Sequence, residues 1–384
     1  MKIKFFSFFF LVLILYAVIT YAIYLKGKSC FRHDSPWLLL YGSCFFLLSA
    51  AFPLGRILER SGFSAIAVPF IWAGSFWFAA VVYLFLSILI IDLFRIGNAL
   101  FPFFPSFLTA DPERTRRVTA WVVCASVLMV IFAGYINARI PCLTTLHLTV
   151  HKRCGDLRSL HIVSVSDIHL GTIVGRARLE KIVERINGLD PDLVLLPGDL
   201  LDEDVTSLKR EDLGEPFKHI RSRFGVFGVT GNHEYIGGVE KACAYLNSCQ
   251  VMMLRDQVHK VDDLFCLVGR EDRSSTHFAS KKRKTLQELM KAVDTELPVI
   301  VMDHQPFHLD DVVRNQVDIQ LSGHTHHGQM WPLNYITQGI FEISRGYMKK
   351  DQTHIYVSNG VGTWGPPVRI GNRPEIVEIF LHFE

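Results

Sequence analysis

Nothing in this chain of 384 residues repeats, and no tract is of low complexity. Repeat arrays and disordered tails are therefore not what organises it. The 8 cysteines form no C-x-x-C pair, so spacing indicates neither a zinc ribbon nor a dithiol redox motif. Cys142 with Cys154, and Cys243 with Cys249, could each bridge, while Cys44 and Cys124 lie inside apolar segments as packing residues. Charge of one sign is also scarce. The 40 Lys and Arg nearly balance 37 Asp and Glu, and a net charge of +3 gives no electrostatic footprint for nucleic acid. The one basic run, Lys281-Lys282-Arg283-Lys284, reads as a solvated helix start.

Apolar residues are plentiful and unevenly spread. The chain is 49% hydrophobic with 29 Phe, and the first 140 or so residues hold the longest apolar runs. Four stretches, about 5–24, 37–54, 69–91 and 118–136, approach the roughly 20 residues needed to cross a bilayer. Trp37, Trp72, Trp77 and Trp121 stand near their ends, where interfacial anchors belong. The first stretch has no small-residue cleavage site and three more follow, so it reads as an uncleaved anchor rather than a signal peptide. No stretch has a charged residue at its centre, which argues against an ion path or a transporter. Two roles stay open for these segments: a plain anchor, or a groove that helps admit a lipid. The cluster Arg114-Thr115-Arg116-Arg117 before the fourth stretch predicts a cytoplasmic loop there, which sends the remainder of a multi-pass cell-membrane protein outside.

From Leu146 to the C-terminus the pattern changes to short strands alternating with helices, with 137–146 as the linker. The expected elements include strands at 160–165, 192–196, 225–229, 298–302, 319–321, 354–357 and 376–381. Helices are expected over 177–187, 216–221, 239–247 and 286–293. This alternation predicts an α/β fold with sheets covered by helices.

Polar clusters stand where strands end. They are Asp167 with His169, then Asp199, then Asn232 with His233, then His304, then His324 with His326. Glycine directly precedes three of them, as tight turns near a ligand require. Carboxylate, amide and imidazole in this mixture suit Mn, Fe or Zn, and two divalent ions need a bridging carboxylate, for which Asp199 is the natural candidate.

The order Asp-x-His, Gly-Asp, Gly-Asn-His-Glu, His, Gly-His-Thr-His resembles the calcineurin-like metallophosphoesterase family over roughly 155–384. The phrases Ser166-Asp167-Ile168-His169-Leu170-Gly171 and Gly323-His324-Thr325-His326 are most similar to its YkuE/YaeI-type bacterial branch, as is the tail 359–367. The four-span front resembles the transmembrane proteins with a metallophosphoesterase domain. The resemblance implies a four-layer α/β/β/α sandwich over 146–384, preceded by an all-α membrane domain over 1–140. It implies that Asp167, His169 and His326 hold one metal ion, that Asn232, His304 and His324 hold a second, and that Asp199 bridges. His233 would contact the phosphate as general acid, oriented by Asp202, unless Asp202-Glu203-Asp204 is simply an acidic loop. His327 stands where relatives often have glycine and reads as a partly exposed imidazole or a substrate contact. His147, His151, His161, His219, His259, His277 and His308 fall outside the pattern. Arg270, Asp272 and Arg345 are either head-group contacts or surface salt bridges. Asp303 either orients an imidazole or is a buried turn carboxylate.

The expected function is a membrane-anchored, binuclear-metal phosphoesterase acting on a mono- or diester, with a lipid-linked or envelope phosphate favoured by the spans. A hydrolase resembling UDP-2,3-diacylglucosamine pyrophosphatase is the alternative, although its cytoplasmic substrate conflicts with the orientation above. A non-catalytic scaffold or sensor is the competing class, and it predicts missing ligands.

Overall fold

The computed structural model describes residues 2–202, 205 and 212–384, the side chains of 2–9 excepted. It divides into two compact units, 1–136 with 365–368, and 137–364 with 369–384.

The first unit holds four helices long and apolar enough to cross a membrane. They are α1 (Lys2–Lys28), α2 (Trp37–Arg60), α3 (Ser64–Leu100) and α5 (Pro112–Asn137), with a single turn, α4 (Ser106–Thr109), between the last two. The second and third helices outrun the expected spans. α3 starts before Pro69 and continues to Leu100, 37 residues in all. Pro69, the sixth residue of α3, lacks the N–H that would have bonded back one turn, a loss that apolar membrane-length helices tolerate. α2 and α3 approach closely where side chains are absent: a Cβ at Gly55 would stand 2.8 Å from the Ile71 nitrogen, and one at Gly74 would meet the Phe52 backbone. Small residues permit such contact where water cannot drive association. Tyr24 stacks on Tyr41 with centroids 5.5 Å apart, and Lys26 pairs with Asp92 at 2.7 Å. Cys44 and Cys124 are exposed on the helix surfaces rather than packed inside.

The second unit is a sandwich of two sheets. The first is ordered β1 (Cys142–Val150), β12 (Glu375–Phe383), β2 (Ser159–Ser164), β3 (Leu193–Leu196), β4 (Val226–Gly228), β5 (Met252–Met253). The second is ordered β10 (Gly346–Lys350), β11 (Thr353–Val357), β9 (Ile319–Ser322), β8 (Val299–Met302), β7 (Phe265–Gly269), β6 (Gln257–Val261). β2, β3, β4 and β5 run parallel, as do β7, β8, β9 and β11. β1 begins at Cys142, so the expected linker shrinks to 138–141; pairing of β1 along β12 extends the strand.

Strand alternation builds the layers. Ile162, Leu193, Leu195, Ile300 and Met302 face the space between the sheets, where Phe227, Leu267 and Leu321 join them. Their neighbours Val163, Val194 and Leu196 face outward under α6 (Arg176–Gly188), whose Leu179, Ile182, Val183 and Ile186 form one buried stripe. Val299 and Val301 face the other way, under Leu286, Leu289 and Val312. The result is an α/β/β/α sandwich, since a strand with two buried faces must be covered on both.

Candidate metal centre

The parallel strands β2, β3, β4, β8 and β9 end at one edge of the sandwich, and every polar cluster sits on a loop just past one of these ends. Ligand sites in α/β sheets form at carboxyl ends of strands because there the backbone groups lose their ladder partners. The loops fold tightly. Asp167, His169, Asp199, His324 and His326 all have positive φ, between 44° and 71°. Non-glycine residues rarely adopt this region, and it concentrates at functional sites. Gly198 (φ 85°) makes room for a ligand side chain, since a Cβ there would stand 2.6 Å from Nδ1 of His304.

These loops bring the predicted side chains together. Asp167, His169 and His326 form one group able to hold a metal ion, His169, Asp199 and His233 a second, and Asp199, His304 and His324 a third. Nε2 of His304 lies 3.0 Å from Oδ2 of Asp199, and Nε2 of His169 lies 4.0 Å from the same oxygen. Nε2 of His326 is 3.0 Å from Nε2 of His169 and 3.4 Å from Oδ1 of Asp167. Asp199 is thus the carboxylate common to two groups. Asn232 sits beside them at the start of the helix Asn232–Gly237. Backbone N–H groups hold the carboxylates in place: His324 donates to Oδ1 of Asp167 and His233 to Oδ1 of Asp199, both at 2.9 Å. His233 Nδ1 donates to the carbonyl of Asp202 at 2.6 Å and lies 3.5 Å from its carboxylate. Glu203 and Asp204, the rest of the acidic triplet, lie outside the described residues.

The electrostatics are divided. Burial, with His233 nearby, holds His169 down at about 3, and burial with His304 nearby does the same to His324. Burial and the Arg369 cation likewise hold His326 well below its ordinary value. Burial pushes the other way on carboxylates, lifting Asp167 to about 6 with help from Asp199. At Asp199 burial is outweighed by His304, His233 and His169, which hold the carboxyl well below its usual range. Burial is also outweighed at His233, where Asp199 and Asp202 raise the imidazole to about 10, and at His304, which Asp199 raises well above the ordinary value.

The residues fit a divalent cation. Oδ2 of Asp167 and Oδ1 of Asn232 are buried without any hydrogen-bond partner. Orphaned acceptors of this kind cost free energy unless a cation or donor satisfies them. Neutral imidazoles at His169, His324 and His326 are in the state that coordinates metal, and His304 carries a proton that a cation would displace.

Two supporting residues carried no assignment in the sequence reading. Glu234, 1% exposed, accepts from the backbone N–H of Asp199, Leu200, Leu201 and Gly231 and so clamps the β3 loop to the β4 loop. Its place in the Gly-Asn-His-Glu phrase was the available signal. Arg369 is fully buried and donates to the carbonyls of Gly360 and Gly362, with its Nη2 3.0 Å from Nδ1 of His326. Nothing local in the sequence marks it.

Several expectations need correcting. His327 is 4% exposed, and its Nδ1 lies 2.8 Å from Oγ of Ser344, so it is no surface imidazole. Asp303 meets no imidazole; it is clamped between Arg270 (2.8 Å) and Arg283 (2.6 Å). Arg283 therefore turns inward instead of joining a solvated basic run, and Arg270 forms a buried pair rather than a surface one. Asp272 is also buried, accepting from Nε2 of Gln305 at 3.0 Å. His304 is oriented by the Pro197 carbonyl, to which its Nδ1 donates at 2.8 Å. Among the described residues Cys142, Cys154, Cys243 and Cys249 are free thiols. Away from the site, His161 pairs with Glu378 and His219 with Glu215, while His147 stacks on Phe380.

A family model described as calcineurin-like phosphoesterase matches residues 160–328. A transmembrane protein with metallophosphoesterase domain from Bos taurus is 34% identical over 289 residues, covering 70% of this chain and 64% of the relative. An uncharacterized metallophosphoesterase from Aquifex aeolicus is 30% identical over 224 residues, covering 58% of this chain and 85% of the relative. The uncharacterized metallophosphoesterase YkuE of Bacillus subtilis is 28% identical over 238 residues, covering 57% of this chain and 78% of the relative. The chain spans a little under two thirds of the length of the Bos taurus protein, whose own length it covers to 64%.

Proposed function

The chain belongs to the calcineurin-like phosphoesterase family, and we propose that it is a membrane-anchored hydrolase of phosphate mono- or diesters using two divalent metal ions. The observation that carries this reading is the shared Asp199, set between two groups of potential ligands. Asp167, His169 and His326 would hold one ion, Asn232, His304 and His324 the other, and Asp199 would bridge. Mn, Fe or Zn suits this donor set. Such ions supply Lewis-acid polarisation of a phosphoryl oxygen and acidify a water.

The chain's own groups do the rest. His233 is fixed by its Nδ1–H donation to the Asp202 carbonyl, which leaves Nε2 as the free ring position. With its proton retained to about 10, that nitrogen would donate to the leaving oxygen as general acid. Glu234 keeps the Asp199 and His233 loops in register, so that the acid and the bridging carboxylate keep one geometry.

Residues 1–140 would serve as the anchor and 146–384 as the catalytic domain. The Arg114, Arg116 and Arg117 cluster at the start of α5 supports a cytoplasmic loop and an extracytoplasmic catalytic domain. A lipid-linked or envelope phosphate fits that placement.

The test is hydrolysis of p-nitrophenyl phosphate and its bis-ester by purified full-length protein supplied with Mn, Fe or Zn. Turnover lost on Asp199→Ala is expected, and no turnover with any of the three metals overturns the reading. A cysteine placed near Lys281 should react with an impermeant maleimide in intact cells; reaction only after lysis reverses the orientation.

A further inference from the structure

The unit 137–364 with 369–384 carries a cavity of about 640 Å³ that none of the seven potential metal ligands lines. Its walls include Asn137, Arg345, Asn359, Asn372, Arg373 and Glu375. Its size is that of a small-ligand site. We propose that it binds a phosphate ester bearing a free hydroxyl, of the kind found in a glycerophosphate headgroup.

Two guanidinium groups reach the cavity without a carboxylate partner among the described residues. Arg345 and Arg373 are both exposed, and neither enters an ion pair. The one acid in the wall offsets only one of the two charges and pairs with neither guanidinium, its oxygens being held by neutral donors. Oε1 of Glu375 accepts from Ser358 Oγ and the Asn359 N–H, and Oε2 accepts from Thr144 Oγ1 and Tyr356 Oη. Behind the wall lies the buried Arg369, whose guanidinium has no acid in contact among the described residues and donates to carbonyls and to Asn372 Oδ1. The cavity is therefore cationic, and planar guanidinium forks match the oxygens of a phosphate.

The orphaned atom specifies more. Asn359 is 8% exposed, and its Oδ1 has no hydrogen-bond partner. Asn359 lines the cavity, and a buried amide oxygen without a partner is satisfied by a donor, which a bare phosphate diester lacks and a hydroxyl supplies. Asn137 is the last residue of α5 and anchors its Nδ2 on the carbonyls of Arg369 and Asn372 at 2.9 and 2.7 Å. The cavity thus begins at the residue where the fourth apolar helix ends, and covalent continuity favours a lipid headgroup over a free metabolite.

The site is independent of the hydrolytic reading, so it is tested without metal. Full-length protein, stripped with EDTA and held in uncharged maltoside micelles, is titrated with glycerol 3-phosphate by calorimetry. In a second arm it is placed in nanodiscs of phosphatidylcholine with phosphatidylglycerol, and retained phosphatidylglycerol is counted by native mass spectrometry. Arg345→Glu with Arg373→Glu should weaken binding by about tenfold or more, in whichever arm the wild type binds. Arg345→Gln and Arg373→Gln should each lose part of it. Lys241→Glu, an exposed change on the helix Val239–Ser248, should lose none. Retention of phosphatidylglycerol without glycerol 3-phosphate binding identifies the lipid as the source; the converse identifies a soluble ester. Failure of wild type in both arms, or wild-type binding by the double variant, overturns the proposal.

Discussion

The two halves of the candidate metal centre are both desolvated and oppositely protonated. On the β2 and β9 loops, His169, His324 and His326 are held neutral, with an arginine rather than an acid behind His326. On the β4 and β8 loops, His233 and His304 hold protons, because each lies against the ionised Asp199 or its neighbour Asp202. Burial acts on all five imidazoles in the same direction. What separates them is how closely each one approaches a carboxylate, so a single desolvated cluster contains both neutral and protonated imidazoles.

The largest break in that contrast is Asp199→Ala. It removes the charge that protonates one half and the oxygen that the halves share. Activity should fall more than the roughly 10–100-fold typical of an outer-shell change, and bound metal measured by mass spectrometry should fall with it. Metal content unchanged in that variant would remove Asp199 as the bridge. His233→Ala should cost about 10²–10⁴ in kcat while leaving metal content intact, which separates an acid from a ligand.

Glu234→Gln tests the clamp between the β3 and β4 loops. One of its backbone donors would face an amide N–H, so the unfolding free energy read from melting should fall by about 1–3 kcal/mol. Unaltered melting would show that the clamp is not needed. Asp202→Asn sharpens the contrast more gently. Removing one of the carboxylates that raise His233 lowers its pKa below about 10, so the alkaline limb of the kcat profile should move to lower pH. An unmoved limb would detach His233 from the proton transfer.

The smallest effect is on stability of the metal-free protein, where the halves should give opposite limbs. His169 and His324 sit at about 3 when folded, against about 6.5 when unfolded, so the unfolded chain gains protons first. Their contribution is present above about 6.5 and lost as pH falls towards 3. Asp167, at about 6, takes up a proton in part of that window and offsets some of the loss. His233 works the other way: its contribution is complete below about 6.5 and is lost as pH rises through about 10. Melting curves of EDTA-treated protein across pH should show both limbs, with the acid limb flattened by His324→Gln.

The grouping of the candidate site was legible where chemistry demands particular residue types at strand ends. Asp167, His169, Asp199, His304, His324 and His326 announce themselves, because few alternatives coordinate metal and each follows an apolar run. What could not be read depends on partners far away in the chain. Arg369 reaches His326 across 43 positions, and Asp303 is claimed by Arg270 rather than by the adjacent His304. Most strands were visible from their apolar runs, but β10 was missed because Gly-Tyr-Met-Lys-Lys has an edge-strand composition. Backbone pairing with β11 makes it a strand, and lysines are the residues that protect an exposed edge. The helix Asn334–Ile340 buries no residue, so it has no apolar stripe to detect.

The left-handed turns of the site have an evolutionary corollary. Asparagine suits the φ of 54° at position 167, could still accept the His324 N–H, and would abolish a buried carboxylate that burial already disfavours. Asp167→Asn should therefore make the metal-free protein hardier while weakening its hold on metal. A population selected only for heat resistance would drift towards such inert forms, and only selection for turnover keeps the aspartate.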